Sequence, residues 1–137
     1  MDAVAESGVS ASVRVEQLRV AADARGWVAE PLGPADLPLQ RNVHVVVSQP
    51  GAVRGNHRHV RGTETLMIAG PALFRSRAGD AVEDVEVPEG AVFRFTIPPG
   101  VAHAIQNTGT GPLVLVAFNS CPHDPAEPDV VFDPLIG

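Results

Sequence analysis

The stretch "RGNHRHVRGTETL", residues 54 to 66, decides the fold. It sets His57 and His59 one residue apart and places Glu64 five positions after the second. Side chains alternate faces along a strand, so the two histidines point the same way. A short turn through Arg61, Gly62 and Thr63 starts a second strand at Glu64 and folds its carboxylate back toward them. Three ligand-type groups then share one small volume. A solvated polar hairpin would show the same pair, so the choice turns on whether a fourth ligand lies elsewhere.

The chain has 137 residues, 45% of them hydrophobic, which suits one domain with a single core. Its net charge of −6 argues against nucleic acid or an anionic membrane as partner. No apolar run approaches the roughly 20 residues of a membrane span. The start "MDAVAESGVSASVRVE" has neither a basic head nor an apolar run, so no signal peptide is expected. A single cysteine, Cys121, can form no internal disulfide and fits a reducing, cytoplasmic setting. All ten basic residues are arginine, and there is no tyrosine. Schiff-base chemistry and phenol acid–base chemistry are therefore excluded. Proton transfer falls to His, Asp, Glu, Cys121 or metal-bound water.

Thirteen glycines and thirteen prolines cut the chain into short segments. Strands are predicted at 12–20, near Trp27 to Glu30, and in "NVHVVVSQ", "AVRGNHRHV", "ETLMIAG", "ALFRSRA", "AVEDVEV", "AVFRFTI", "AHAIQN" and "PLVLVAFN". Turns carry Gly and Pro at 49–51, 78–80, 98–100 and 109–111. Roughly ten short strands in one chain point to an antiparallel jelly roll, which protects its edges by closure. Residues 1–11 are expected to be disordered, and the proline-rich tail, 121–137, to strap the surface. One domain spans 1–137. A homodimer is expected, with the strand at 12–20 pairing across a twofold axis to cover an edge.

The fourth ligand candidate is His103, in "TIPPGVAHAIQN". Gly51 to Glu64 reads G-x5-H-x-H-x4-E, and Pro98 to Asn107 reads P-x-G-x2-H-x3-N. In order, these resemble the two motifs of the cupin superfamily, from about Val43 to Asn119. The resemblance implies an all-β, cupin-type antiparallel jelly-roll barrel with His57, His59, Glu64 and His103 as ligands of one divalent metal. Imidazoles and a carboxylate suit Zn first, with Fe, Mn, Ni or Co as options, and leave positions open for water or substrate. Gly90 lies two residues farther from Pro98 than the motif has it, and Gly70 comes one residue early. Both are loop-length differences that leave the ligands intact.

A narrower resemblance rests on "DARGW", "QPG", "RGNHRH", "IPPGVAHAIQN" and "DPAEPD". These are similar to the RmlC-like C-terminal cupin domain of capsular-polysaccharide enzymes that make nucleotide-linked deoxy-amino sugars. That likeness implies a metal-dependent epimerase acting beside the keto group of a nucleotide 4-keto-6-deoxy sugar. A polyketide cyclase, an iron dioxygenase and a non-catalytic small-molecule-binding cupin are the alternatives.

His44 and His123 are the candidate catalytic residues. His44 alternates with Val46 and Ser48, while Val43, Val45 and Val47 take the other face. With the valines at a sheet interface, His44 faces the cavity as a base; an inert, hydrogen-bonded sheet histidine is the other reading. His123, in "PHDP", either closes the cavity mouth or is solvated. Arg41, Arg54, Arg61 and Arg94 are candidate diphosphate holders, since arginine meets phosphate with a forked donor pair. By strand parity, Arg54 and Arg58 should not share the face of His57. Phe93, Phe95 and Ile97 read as core, and Gln106 and Asn107 as sheet-end residues. Cys121, next to a proline, reads as a small buried or tail residue with no base within sequence reach.

Overall fold

Strand formation here follows the alternation of β-branched and aromatic residues with polar ones. The computed structural model describes residues 3–9, as backbone, and 13–137. Thirteen strands are described: β1 (Ala3–Val9), β2 (Arg14–Leu18), β3 (Ala21–Asp23), β4 (Gly26–Val28), β5 (Asn42–Ser48), β6 (Val53–His59), β7 (Glu64–Ala69), β8 (Ala72–Ala78), β9 (Ala81–Val87), β10 (Val92–Ile97), β11 (Ala102–Asn107), β12 (Leu113–Asn119) and β13 (Val130–Phe132). A six-stranded sheet runs β1-β2-β10-β7-β12-β5, and a five-stranded sheet runs β13-β6-β11-β8-β9. β3 and β4 form a separate hairpin, and every pairing is antiparallel. The result is a cupin-type jelly roll. Among the described residues, no helix is long and apolar enough to cross a membrane.

The inner faces of the two sheets make the core. Leu113, Leu115 and Ala117 of β12 are buried, and so are Phe93 and Phe95 of β10 and Phe74 of β8. Phe74 stacks on Phe95 with ring centroids 4.0 Å apart, and His103 lies beyond Phe74 at 6.4 Å. The apolar core therefore forms the floor beneath the histidines. Asn107 staples the far end of β11, donating to the carbonyls of Ser48 and Gly111 and accepting from Gly109 N–H.

Two expectations are corrected. Residues 3–9, within the stretch expected to be disordered, form β1 along β2; residues 1, 2 and 10–12 lie outside the described residues. "AVAESGV" is small and weakly patterned, so its strand is defined by the exposed edge it covers rather than by its own periodicity. Second, β2 sits between β1 and β10, so residues 14–18 offer no free edge for pairing across a twofold axis. The tail also holds a strand that its prolines concealed. β13 extends the five-stranded sheet beside β6, and Asn56 pins the chain end beyond it by accepting from Leu135 and Ile136 N–H. Asp133 then pairs with Arg58 at 2.9 Å and with Arg77.

Candidate functional site

β6, β7 and β11 bring the four expected ligands together. His57 and His59 lie on one face of β6, and Glu64 opens β7 after the turn at 60–63. His103 pairs directly with His57 across the β11–β6 ladder. The ligand atoms of all four lie within 4.8 Å of one another. They converge on one carboxylate oxygen: Glu64 Oε1 is 2.7 Å from His103 Nε2, 3.2 Å from His59 Nε2 and 4.0 Å from His57 Nε2. Glu64, His59 and His103 are buried, while His57 faces the opening.

The donor chemistry fits a divalent cation. His103 Nδ1 lies 3.1 Å from the Val101 carbonyl, an acceptor that requires Nδ1 to carry the proton. In the neutral ring, Nε2 then presents a lone pair to the Glu64 carboxylate at 2.7 Å. Two lone pairs at that separation call for a positive charge between them, either a proton or a metal ion. Burial works to raise the Glu64 carboxyl, but hydrogen bonds from His103, His57 and His59 outweigh it and hold the group well below the usual carboxylate range. Burial likewise opposes charge on His59, yet its bond and attraction to Glu64, helped by Asp129, raise its pKa.

Two residues behind His59 were not anticipated as part of the site. Its Nδ1 lies 3.4 Å from Asp129 Oδ2 and 3.3 Å from Asn119 Nδ2. Asp129 also accepts the N–H groups of Arg61 and Gly62 at 2.8 and 2.9 Å, tying the strap to the β6–β7 turn. Burial would raise the Asp129 carboxyl; these two N–H bonds, with the positive charge of His59 and Arg61, lower it. A Cβ on Gly62 would collide with both Asn119 and Asp129, so the close approach requires glycine there. Asn119 had left a signal, being the polar end of the inward stripe Leu113, Leu115, Ala117. Asp129 had left none beyond its place in an acidic, proline-rich tail.

His44 points inward. It lines a cavity of about 50 Å³ with His57, Glu64 and His103. It also lines an adjoining cavity of about 220 Å³ with His59, Cys121, His123 and Asp124. Its Nδ1 lies 3.2 Å from Asn42 Oδ1, which aligns the ring. The structure thus brings His44 and His123 to one opening beside the four ligand groups.

The arginines divide differently from the parity expectation. Opposite Ala104, β6 carries one extra residue: His103 pairs with His57, Ala104 with Gly55, and Ile105 with Arg54. The bulge uses Gly55 at φ 88° and Asn56 at φ 57°, and it reverses the parity of the strand before it. Arg54 therefore shares the inward face of His57 and Ile105 and lines the cavity, correcting the expectation that it would not. Its Nη2 donates to the Val47 carbonyl at 3.1 Å, reaching β5 of the other sheet. Arg58 stays outward on Asp133. Arg61 is held by Glu127 and Asp129, and Arg41 by the carbonyls of Pro38 and Gln40. Arg94 pairs with Glu16 at 2.9 Å on the outer face of the six-stranded sheet.

Comparison with known proteins agrees with this fold. Residues 21–131 match the model of the polysaccharide biosynthesis C-terminal domain. The chain belongs to that family. Capsular polysaccharide assembling protein CapF from Staphylococcus aureus is similar at 27% identity and a TM-score of 0.65, over 87% of this chain and 33% of that one. The chain thus spans about one third of the length of CapF. QdtA, a sugar 3,4-ketoisomerase from Thermoanaerobacterium thermosaccharolyticum solved with TDP, superposes with a TM-score of 0.72 at 20% identity, over 91% of this chain and 90% of that one. A dTDP-4-dehydrorhamnose 3,5-epimerase from Sulfolobus tokodaii superposes with a TM-score of 0.71 at 17% identity, over 89% and 77%. These likenesses establish an RmlC-like cupin fold. No curated protein sequence matches the chain.

Proposed function

We propose that this cupin is a metal-dependent isomerase or epimerase acting next to the carbonyl of a nucleotide-linked keto-deoxy sugar. The observation that carries the reading is the meeting of three imidazoles and one buried carboxylate at a cavity whose opposite wall holds His44. A divalent ion on His57, His59, Glu64 and His103, with Zn the first choice, supplies Lewis acidity toward a carbonyl oxygen. His44 takes the proton from the carbon beside that carbonyl, and the freed electron pair moves onto the oxygen. Return of a proton to the opposite face of the same carbon gives an epimer; return to the former carbonyl carbon, with the proton of the adjacent hydroxyl passing to the old carbonyl oxygen, moves the ketone by one carbon and gives an isomer. His123, at the rim of the larger cavity, is the second candidate for that return. Arg54 is the arginine in the cavity wall, and its fork suits the diphosphate of a nucleotide sugar. The sugar-isomerase and epimerase activities of QdtA and the Sulfolobus protein, on the same fold, support this class.

Incubation with a nucleotide 4-keto-6-deoxy sugar in D2O tests the proposal. Zn-loaded protein without oxygen should wash deuterium into a carbon beside the ketone, and His44→Asn should stop it with metal content unchanged. Activity confined to Fe(II) and O2 would instead mark a dioxygenase, since a d10 ion cannot support that chemistry. Cyclisation of a poly-β-keto chain without exchange into any keto sugar would mark a cyclase, and ligand retention without turnover a binding protein.

A further inference from the structure

Asn42 and His44 stand two residues apart at the start of β5, so both side chains fall on the cavity side of the strand. Asn42 Oδ1 lies 3.2 Å from His44 Nδ1. A carboxamide oxygen can only accept, so Nδ1 carries the proton, and in the neutral ring the lone pair is left on Nε2. That is the ring nitrogen farther from the backbone, and it makes no hydrogen bond among the described residues. The fold does not need the contact. Seven cross-strand pairs, from Leu113 with Ser48 to Asn119 with Asn42, already set the register of β5 on β12. Asparagine is also a poor strand residue, so its place in β5 is not explained by the sheet. What the side chain acts on is the ring.

We infer that Asn42 is the positioning residue of the proposed base: it holds His44 in the Nδ1–H tautomer and so makes Nε2 the atom that takes the substrate proton. The inference rests on the reading of His44 as that base. An unconstrained neutral imidazole side chain favours the other tautomer, so the Nδ1–H form has to be imposed by the hydrogen bond behind the ring. In the proton transfer, the hydrogen leaves the carbon beside the carbonyl for Nε2, and the C–H electron pair moves onto the carbonyl oxygen. The imidazolium that forms still donates Nδ1–H to Asn42 Oδ1. One bond therefore serves both states of the ring, and nothing behind it has to reorganise when the proton arrives. A neutral amide suits this task better than a carboxylate. A negative charge against Nδ1 would favour the imidazolium and withdraw the free base, whereas the amide fixes the tautomer without supplying charge.

Nitrogen-15 spectra of the imidazole rings test the assignment without any substrate. Above the pH at which the ring loses its charge, His44 should show a protonated, pyrrole-type Nδ1 and a pyridine-type Nε2. Asn42→Leu, close in shape but with no acceptor, should shift the ring toward the Nε2–H form. Asn42→Asp, which keeps an acceptor in place, should retain Nδ1–H. In the deuterium assay with a nucleotide 4-keto-6-deoxy sugar, Asn42→Leu should lower kcat about tenfold and leave KM within about twofold. That loss is part of the roughly 10²–10⁴ that a positioned general base contributes. Far-UV circular dichroism checks that each variant is folded. A wild-type ring protonated on Nε2 overturns the inference, and so does an Nδ1–H tautomer that persists unchanged in Asn42→Leu. A loss carried by KM alone also overturns it, because Asn42 would then be a substrate contact. The expected tautomers in all three proteins, beside no exchange into any keto sugar, would support the assignment of Asn42 and refute the isomerase reading instead.

Discussion

Replacing Asp129 by asparagine tests whether the strap tunes the proposed metal centre. When His59 Nε2 coordinates an ion, its proton resides on Nδ1, which then donates to an acceptor behind the ring. The Asp129 carboxylate is that acceptor, 3.4 Å away. Asn119 Nδ2, at 3.3 Å, competes by offering a donor to the same nitrogen, and its amide is oriented by Cys121 N–H on Oδ1 at 2.7 Å. Loss of a carboxylate behind a ligating histidine generally costs ten- to a hundredfold in metal affinity. Because the contact is long and contested, the lower end applies, a weakening of about tenfold or ~1.4 kcal/mol. Competition against a chromophoric chelator measures that loss, and nitrogen-15 shifts of His59 report which ring nitrogen carries the proton. Asp129 also accepts from Arg61 and Gly62, so the metal-free protein should lose about 1 kcal/mol in denaturant melts. Unchanged metal affinity and an unchanged His59 tautomer, beside that loss of stability, would refute the reasoning and reduce Asp129 to a staple of the turn.

Three further outcomes are expected. Elemental analysis should find close to one divalent ion per chain, and the His57→Ala, His103→Ala double variant should have none; full occupancy there would assign the wrong ligands. Gly55→Ala should cost roughly 2–4 kcal/mol in equilibrium unfolding, since a side chain at φ 88° is strained and its Cβ would sit 2.8 Å from the His103 carbonyl; a neutral result would mean that the bulge relaxes freely. Asp133→Asn should cost about 1–2 kcal/mol near neutral pH. Burial works to raise the Asp133 carboxyl, but the bonds from Arg58 and Arg77 outweigh it and lower its pKa. The stabilisation is therefore complete above the unfolded carboxylate value of about 3.9 and disappears as pH falls through the lower folded value. Wild type and variant should converge in acid melts; a gap constant with pH would show that the pairing is not the cause.

The jelly roll and the clustering of His57, His59, Glu64 and His103 were legible because they rest on local rules. Alternation places His57 with His59, Pro99-Gly100 turns the chain before His103, and Gly62 lets Glu64 return to the cluster. The features that were not legible depend on pairing between distant segments. β1 has too weak a pattern to declare itself, and β13 is masked by its prolines. Asp129 reaches His59 across seventy residues of sequence, and periodicity records nothing about such a contact. The parity of Arg54 failed for a different reason: strict alternation counts residues, and a bulge changes the count. His44 sits between these cases. Its inward face came from the valines opposite it, but its position over the ligand groups needed the closing of the two sheets.

The bulge in β6 makes the charge of the cavity wall separable from the four clustered side chains without any change at Arg54 itself. His57 is paired with His103 on one side of the bulge, and Arg54 is paired with Ile105 on the other. A chain carrying the same residues in a regular strand, without the bulge at Gly55 and Asn56, would keep His57, His59, Glu64 and His103 together, turn Arg54 outward to solvent and point the side chain of Val53 into the cavity. Two chains of this fold with the same four clustered side chains and the same arginine can therefore differ in whether the cavity wall is cationic, and the cause lies in the residues that take up the bulge rather than in the arginine. The backbone conformation of two residues in one strand, Gly55 and Asn56, then sets the charge of the cavity wall.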